Sequence, residues 1–428
     1  MSTLRIVGGV PLHGTLTASG NKNAALPMIA ACLLTDERVE LERVPDIGDV
    51  RSMLAIAEQL GAGVEWHPAA GRAVVSGRGL HAHALPATEA ARIRAGILFA
   101  APLLARLGQA EMPPPGGDVI GRRRLDSHLY SLAKFGAEVD FGPPFRFTAP
   151  RGLTGADLLL PEASVTGTAQ AVLAAVLARG ESIVANAACE PHIQDLCHLL
   201  VGMGASIEGI GGNLLRIRGV ERLGGTRHRV SADFAEAGSY LAAAAATRGD
   251  VTVTGLDPLH FRMIRRGFSR LGIELEDGPD SLRVPAEQSR QVRLSPGGGM
   301  PVVDDGIWPQ FPTDLMSVMI VLATQVCGTV LFFEKMYESR MYFVDRLVDM
   351  GANAVVCDPH RAVISGPSQL HGITLNSPDI RAGMALVSAA LCARGESQIR
   401  SAELIDRGYP AIEHRLRSLG AQIERSEP

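Results

Sequence analysis

The stretch Val50-Arg51-Ser52-Met53-Leu54-Ala55-Ile56-Ala57-Glu58-Gln59-Leu60-Gly61-Ala62 decides the fold of this chain. Its apolar residues recur at intervals of three and four, which predicts an amphipathic helix. Gly61 stands where such a helix ends in the left-handed region, and the Val-Glu alternation that follows predicts a half-exposed strand. Helix, glycine cap and strand are therefore expected in immediate succession.

The same phrase, an apolar residue followed by Gly and usually Ala, occurs six times at a spacing of about 70 residues. Its copies are Leu60-Gly61-Ala62, Phe135-Gly136-Ala137, Met203-Gly204-Ala205, Leu271-Gly272-Ile273, Met350-Gly351-Ala352 and Leu419-Gly420-Ala421. A second phrase, a glycine turn that opens a new strand, recurs at Gly180, Gly249, Gly328 and Gly395. Six copies at near-constant spacing argue against a chance match.

Together the two phrases predict an α/β fold built from six βαβαββ-like repeats, with helices buried against sheets. A continuous solenoid also fits the period. A repeat of about 70 residues can close its own core, however, so we expect two domains of three repeats each.

The bulk composition excludes several classes of protein. The 428 residues are 46% hydrophobic and 20% charged, which is ordinary for a globular enzyme. A formal net charge of −4 gives no overall attraction to nucleic acid or to an anionic membrane. We therefore expect no nucleic-acid partner, and any anion site must be a local cluster of basic residues.

No segment predicts export or membrane insertion. Residues 1–15 lack a basic stretch followed by a long apolar one, so we expect a cytoplasmic protein. The stretch from Leu315 to Phe333 is nearly free of charge, but Thr324, Gln325 and Gly328 favour a buried helix that runs into a strand. The six cysteines form no C-x-x-C motif, so we expect reduced core thiols and no zinc site.

Two segments predict anion chemistry. Lys22 and Asn23 fall at the first turn of a helix, where free N–H groups and the helix dipole favour a phosphate or carboxylate. The run from Pro113 to His128 is a loop of prolines and glycines that leads into three arginines, two carboxylates and a histidine. Such a loop is typical of a mobile lid over a site.

Further charged residues stand at strand–helix junctions: Arg94, Asp314, Arg340, Asp379, Arg381 and Arg407. No HExxH, P-loop or dinucleotide-binding motif occurs, which argues against metalloprotease, NTPase and dinucleotide enzyme functions.

Four motifs carry a resemblance to the UDP-N-acetylglucosamine enolpyruvyl transferases, which make the first committed precursor of peptidoglycan. They are Gly20-Asn21-Lys22-Asn23-Ala24-Ala25-Leu26-Pro27, Pro115-Gly116-Gly117-Asp118-Val119-Ile120-Gly121-Arg122-Arg123, Phe311-Pro312-Thr313-Asp314 and Asp406-Arg407-Gly408-Tyr409. The resemblance covers essentially the whole chain. It implies a two-domain inside-out α/β barrel with the active site in the cleft between the domains. One domain would be residues 22–230 with the mobile loop 111–124, and the other residues 1–21 plus 231–428.

The same resemblance assigns site residues. Phosphoenolpyruvate would bind Lys22, Asn23, Arg123 and Arg407, and Asp314 would take the proton of the attacking sugar hydroxyl. The residues implied beside the UDP-sugar are Arg94, Arg123, Arg124, Leu125, Asp126, Ser127, Ser164, Asp314 and Met336. Arg340, Asp379 and Arg381 match other charged positions of the cleft. The reaction that the resemblance implies needs no cofactor and no metal.

The chain departs from the family pattern at several positions. Asp118 replaces the usual loop cysteine, a variant compatible with activity if the carboxyl group can hold a proton as the catalytic acid. Because fosfomycin alkylates that cysteine, the enzyme is expected to be insensitive to fosfomycin. Leu98, Glu162 and Arg124 stand where Trp, Lys and Pro are common, which leaves the acceptor open.

Three alternatives remain. A sister transferase could act on another nucleotide or nucleotide sugar, or on shikimate 3-phosphate, although Asn23 stands where the shikimate branch typically has Ser or Thr. A non-catalytic paralogue could bind nucleotide sugars as a sensor, which the retention of Lys22, Asp314 and Arg407 argues against. A six-repeat clamp around nucleic acid would require a basic inner surface.

Overall fold

The computed structural model describes residues 2–117 and 124–426. They form two compact units. The N-terminal unit comprises residues 20–117 and 124–231, and the C-terminal unit comprises residues 2–19 and 232–426. The chain therefore starts in the C-terminal unit, leaves it after Ser19 and returns to it at Ala232.

The described residues contain 13 α-helices and 23 strands. The helices are α1 (Lys22–Ala31), α2 (Gly48–Gln59), α3 (Ala87–Ala90), α4 (Ala100–Leu107), α5 (Asp126–Lys134), α6 (Val165–Ala175), α7 (Pro191–Gly202), α8 (Phe234–Ala246), α9 (Arg262–Arg270), α10 (Met316–Ala323), α11 (Val344–Asp349), α12 (Ile380–Cys392) and α13 (Ile412–Ser418). The strands are β1 (Thr3–Val7), β2 (His13–Thr17), β3 (Val39–Glu42), β4 (Gly63–His67), β5 (Arg72–Ser76), β6 (Gln109–Met112), β7 (Glu138–Asp140), β8 (Phe145–Thr148), β9 (Asp157–Leu159), β10 (Glu181–Ala185), β11 (Ser206–Glu208), β12 (Leu214–Arg218), β13 (Thr226–Arg229), β14 (Asp250–Thr254), β15 (Glu276–Asp277), β16 (Ser281–Val284), β17 (Val302–Asp304), β18 (Gly328–Phe333), β19 (Asn353–Asp358), β20 (Arg361–Gly366), β21 (Thr374–Asn376), β22 (Glu396–Arg400) and β23 (Gln422–Ser426).

Each unit repeats one arrangement three times. A strand, an inner helix and a second strand parallel to the first are followed by an outer helix and antiparallel strands. In the second repeat of the N-terminal unit, an isolated parallel bridge from Ala84 to Glu111 stands in place of the first strand. The sheets of the N-terminal unit have the orders β13-β3-β5-β4, β6-β8-β7 and β9-β10-β12-β11, and those of the C-terminal unit β2-β14-β16-β15, β17-β18-β20-β19 and β21-β22-β1-β23. The six-repeat α/β organisation expected from the sequence is confirmed.

In each unit, the strand at one end of its sequence completes the sheet of a distant repeat. In the N-terminal unit, β13 comes last in the sequence but pairs in parallel with β3 of the first repeat. In the C-terminal unit, β1 lies between β22 and β23 and supplies a strand of the last repeat. These long-range pairings close each unit.

The predicted glycine caps are present in all six repeats. Gly61, Gly136, Gly204, Gly272, Gly351 and Gly420 follow outer helices with φ between +71° and +104°. Side chains rarely adopt this left-handed conformation, so glycine is the residue that lets the chain turn here. A strand starts within four residues of each cap, as the sequence predicts.

Inner and outer helices differ in burial. Every residue of α8 is buried, and in α12 all but Cys392 are, because both helices lie inside the C-terminal unit. In the outer helix α9, by contrast, only Ile264, Gly267 and Phe268 are buried. Of the arginines of α9, Arg262 and Arg266 are exposed, whereas Arg265 and Arg270 are half-buried and donate to Asp277 and to the carbonyl of Val302.

The charge-free segment of the C-terminal unit is the buried helix α10 followed by strand β18, as predicted. Among the described helices, none combines the length and the apolarity needed to cross a bilayer. The expectation of six core thiols is wrong for two cysteines, because Cys327 and Cys357 are exposed. Cys327 directly precedes strand β18, and Cys357 lies in β19, the edge strand of the same sheet.

Candidate active site

Several of the predicted site residues lie at or just before the N-terminal ends of helices, each within its own unit. Lys22 is the first residue of α1, Ser164 is the N-cap of α6, and Asp379 is the N-cap of α12. Asp314 lies in the 3₁₀ turn Thr313–Leu315 that enters α10, and Arg94 precedes the 3₁₀ helix that leads into α4. Helix N-termini carry free N–H groups and a partial positive charge, so both units present surfaces suited to anions.

Asp314 is held by two buried arginines in the C-terminal unit. Nη2 of Arg381 donates to Oδ2 of Asp314 at 2.8 Å, and Nη2 of Arg340 donates to Oδ1 at 3.3 Å. The arginine side chains are 8% and 4% exposed, whereas that of Asp314 is 25% exposed. Asp314 is therefore a fixed carboxylate with one accessible face.

Burial works against the charge of both arginines, but their neighbours outweigh it. For Arg381, burial lowers the pKa while Asp314 and other nearby groups raise it, and the net shift is well upward. The pKa of Arg340 is also raised on balance, by Asp314 and Glu334 against burial. Both guanidinium groups thus stay charged beside Asp314 at neutral pH.

A buried tyrosine orients Arg381. Nη1 of Arg381 donates to the Tyr409 hydroxyl at 3.0 Å, and the guanidinium carbon lies 5.4 Å from the ring centroid. The Tyr409 hydroxyl lies 2.9 Å from Oγ of Ser239, which itself donates to the carbonyl of Ala235 at 2.7 Å. Because the Ser239 hydroxyl already donates its hydrogen to Ala235, the Tyr409 hydroxyl donates to Ser239 and accepts from Arg381.

Two nitrogen atoms of Arg340 take no part in the hydrogen bond to Asp314. Its Nε and Nη1 are buried and make no hydrogen bond to any residue that the structure describes. Its guanidinium carbon lies 5.2 Å from the centroid of the Tyr337 ring. Nε lies 3.6 Å from Oε2 of Glu334, so the guanidinium group is held between Glu334 and Asp314.

The other predicted residues of the C-terminal unit play different local roles. Asp379 caps α12, because its Oδ1 accepts the backbone N–H groups of Arg381 and Ala382 at 2.7 and 2.9 Å. Met336 is exposed. Arg407 ends the 3₁₀ helix Ala402–Arg407 and is half-buried.

In the N-terminal unit, Lys22 forms a buried ion pair. Its Nζ lies 2.8 Å from Oδ2 of Asp49, and the two side chains are 10% and 7% exposed. Asn21 caps α1 by accepting the N–H of Ala24 at 3.1 Å. Asn23, the next residue of the same turn, is half-buried.

The segment before α5 is tied to Arg94. Nη2 of Arg94 donates to the carbonyl of Arg124 at 2.7 Å, and Nε of Arg124 pairs with Asp126 at 2.7 Å on the surface. Leu125 is the N-cap residue of α5 and is half-buried. The structure thus brings Arg94 together with the segment 124–126.

A second contact links α5 to the loop before α6. The buried Ser127 hydroxyl donates to Oε1 of Glu162 at 3.2 Å, and Ser164 accepts the N–H of Gly167 at 3.2 Å. Leu98 is completely buried in the core, so it cannot present its side chain to a ligand. Asp118 and Arg123 lie outside the described residues.

Four participants were missed by the sequence analysis: Asp49, Tyr409, Asp305 and Glu334. Asp49 carries a weak signal, an acidic residue in the first turn of a predicted helix. Tyr409 is part of the Asp406-Arg407-Gly408-Tyr409 motif, but the sequence analysis selected only Arg407 from that motif as a site residue. No group of three or more His, Cys, Asp or Glu residues in the described part of the chain could hold a metal ion.

Sequence comparison places these residues in a known family. The sequence model of EPSP synthase (3-phosphoshikimate 1-carboxyvinyltransferase) matches residues 6–416. The chain belongs to the EPSP synthase family. It is therefore an enzyme of the carboxyvinyltransferase class.

Relatives within the EPSP synthase family match over nearly the whole chain. A UDP-N-acetylglucosamine 1-carboxyvinyltransferase of Treponema denticola is 52% identical over 422 residues, 99% of each chain. A protein of the same name from Bradyrhizobium diazoefficiens is 49% identical over 420 residues, 98% of this chain and 97% of its own.

Solved structures show the same fold. The enolpyruvyl transferase NikO from Streptomyces tendae superposes with a TM-score of 0.88 at 22% identity, covering 100% of this chain and 99% of its own. EPSP synthase from Acinetobacter baumannii gives a TM-score of 0.76 at 19% identity, with 100% of both chains covered. At these identities the likeness concerns the fold alone, and it confirms the enolpyruvyl transferase type.

Proposed function

We propose that this chain transfers the enolpyruvyl group of phosphoenolpyruvate to the 3-hydroxyl of UDP-N-acetylglucosamine, with release of phosphate. The observation that carries the proposal is the 52% identity, over 99% of both chains, to a protein named for that reaction. The product is a peptidoglycan precursor, and both substrates are cytoplasmic metabolites, so we assign the reaction to the cytoplasm.

Asp314 is the proposed base. It is an accessible carboxylate whose two arginine partners keep it in place while its exposed face remains open. The 3-hydroxyl of the sugar adds to C2 of phosphoenolpyruvate as its proton passes to Asp314, and C3 receives a proton from a catalytic acid. Loss of a proton from C3 then expels phosphate and restores the double bond, so atoms and charges balance.

Cations are proposed to hold the charges that build up. Lys22, Asn23, Arg123 and Arg407 would bind phosphoenolpyruvate, and the N-terminus of α1 would add its dipole to Lys22. Buried cations favour the transition state when negative charge moves between the carboxylate and the leaving phosphate.

The UDP-sugar is proposed to lie against Arg94, the segment 124–127, Ser164 and Met336. Arg94 donates a hydrogen bond to the carbonyl of Arg124, so the two residues lie together on this side of the unit. Asp118 is the proposed acid at C3. A carboxyl group is a poor nucleophile toward an epoxide, so we also propose that the enzyme is insensitive to fosfomycin.

A second acceptor class is favoured by one observation. Glu162 places a carboxylate beside Ser127, where the resemblance leads us to expect a lysine. A negative charge there disfavours a diphosphate nearby. A nucleotide or nucleotide sugar with a differently placed diphosphate is therefore the alternative acceptor.

The test is phosphate release from phosphoenolpyruvate by the purified full chain with a panel of acceptors. The panel contains UDP-N-acetylglucosamine, UDP-N-acetylgalactosamine, UDP-glucose, free UMP and shikimate 3-phosphate. We expect release only with UDP-N-acetylglucosamine, together with a product whose mass corresponds to an added enolpyruvyl group. Release with a different acceptor would reassign the substrate, and release with none would refute the proposal.

A further inference from the structure

Asp305 and Glu334 are two carboxyl groups buried side by side in the C-terminal unit. Asp305 directly follows strand β17, and Glu334 directly follows strand β18. The two strands are parallel and pair Asp304 with Phe333, so Asp305 and Glu334 lie side by side at the carboxyl ends of these strands. Each residue is 0% exposed.

The two carboxyl groups are close enough for Asp305 to raise the pKa of Glu334, through its charge and as a hydrogen-bond partner. Oδ1 of Asp305 accepts the backbone N–H of Lys335 at 2.5 Å, whereas its buried Oδ2 accepts no N–H or O–H of a described residue. Two ionised carboxylates in contact would repel each other strongly in a buried site. The pair therefore retains one proton.

The groups around Glu334 determine how tightly it binds this proton. Burial and the neighbouring Asp305 raise the pKa of Glu334 to about 8, and Arg340 opposes this shift. The Lys335 ammonium group is engaged elsewhere, because it lies 2.5 Å from Oδ2 of Asp304. The remaining charged or titratable groups around the pair or around Arg340 are Asp314, Asp379, Tyr337, Arg270 and His360.

Glu334 contacts both segments that carry the proposed base and its partner. Its carboxylate accepts the hydroxyl of Thr313, the residue before Asp314, at 2.9 Å. It also accepts the backbone N–H of Met336 at 3.1 Å and lies 3.6 Å from Nε of Arg340. One carboxylate thus fixes the turn that presents Asp314 and the guanidinium group that binds it.

We propose that Asp305 and Glu334 are positioning residues for Asp314, and that they work by sharing a single proton. With one proton on the pair, Arg340 divides its charge between Glu334 and Asp314. When the proton leaves, the pair carries a second negative charge and competes with Asp314 for Arg340. The inference rests on the proposed role of Asp314 as the base.

The sign of the pH dependence follows from the raised pKa. Between the ordinary pKa of a glutamate and about 8, the folded protein binds this proton more tightly than the unfolded chain does. The contribution to the free energy of unfolding is therefore complete at low pH, decreases as the pH rises through this window, and is lost above about pH 8. The kcat should decrease over the upper part of the same window.

Asp305→Asn tests the shared proton. The amide has the shape of the acid, its Oδ1 can still accept the Lys335 N–H, and its Nδ2 donates to Glu334 without a proton that titrates. We expect the alkaline decrease in kcat to disappear, because without the Asp305 charge Glu334 is ionised throughout this range and no second negative charge develops. In urea unfolding between pH 5 and 9, the decrease in stability should disappear. Asp304→Asn, which changes the adjacent carboxylate outside the pair, should keep the wild-type profiles.

Glu334→Gln provides a second variant. It removes the charge beside Arg340, so we expect a lower kcat with little change in KM and again no alkaline transition. An Asp305→Asn protein with the wild-type alkaline decrease in both stability and kcat would overturn the proposal. Unfolding needs no turnover, so it tests the shared proton independently. A wild type that releases no phosphate but shows the predicted unfolding profile would refute the proposed function alone.

Discussion

Arg381 binds Asp314 through a 2.8 Å hydrogen bond from Nη2 to Oδ2, and this guanidinium group is oriented by the protein itself. Its second nitrogen donates to Tyr409, whose ring also lies beneath it. The orientation of Asp314 is thus set before any substrate binds. Preorganised charge of this kind lowers a barrier because no reorganisation is needed during the reaction.

Tyr409→Phe should lower kcat by roughly 10-fold to 100-fold, with a smaller change in KM. The variant keeps the ring but leaves a buried donor of Arg381 without an acceptor, which costs about 1.5–3 kcal/mol when the donor is charged. Steady-state phosphate release at saturating substrates measures the effect. Tyr240→Phe is the matched control, because Tyr240 is equally buried and lies against Arg415 instead. Equal losses in the two variants would show that the effect is only structural.

Lys22→Met should raise the KM for phosphoenolpyruvate by about tenfold or more and also lower kcat. The change removes the cation at the N-terminus of α1 and with it the buried ion pair to Asp49, so we expect some loss of stability as well. Kinetics should therefore be measured at a temperature at which circular dichroism shows a folded protein. Lys134→Met, which removes an exposed lysine near Tyr130, is the control. An effect confined to the KM of the acceptor would place Lys22 on the other substrate.

Wild-type enzyme should keep its activity after prolonged incubation with fosfomycin and UDP-N-acetylglucosamine. Asp118 offers a carboxyl group where a thiolate would attack the epoxide, and none of the six cysteines lies between residues 111 and 124. Asp118→Cys should restore time-dependent inactivation, and Asp118→Asn should remove most turnover because an amide cannot supply the proton. Mass spectrometry that finds an adduct on wild-type Asp118 would contradict this account.

The repeat pattern could be predicted because it depends on local rules. Gly61 and its five counterparts mark helix ends that need a left-handed residue, and such a need is visible in the sequence. The place of β1 between β22 and β23 could not be predicted in this way. That pairing joins residues about 400 positions apart, and local periodicity contains no information about it.

The candidate site was predicted in part. Helix N-termini and motif charges indicated Lys22, Asp314, Arg340 and Arg381 as candidates, but not the partners that hold them. Asp49 reaches Lys22 only because α1 and α2 are packed together. Asp305 and Glu334 meet only because β17 and β18 are parallel neighbours. Partners of this kind follow from tertiary structure, so a single sequence does not reveal them.

Asp314→Asn tests the central claim most directly, through phosphate release from phosphoenolpyruvate with UDP-N-acetylglucosamine. The amide keeps the shape and can still accept from Arg381, but it cannot take the proton of the sugar hydroxyl. We expect kcat to decrease by roughly 100-fold or more, while calorimetry shows UDP-N-acetylglucosamine binding within about threefold of wild type. Phosphate release near the wild-type rate would contradict the assignment of Asp314 as the base.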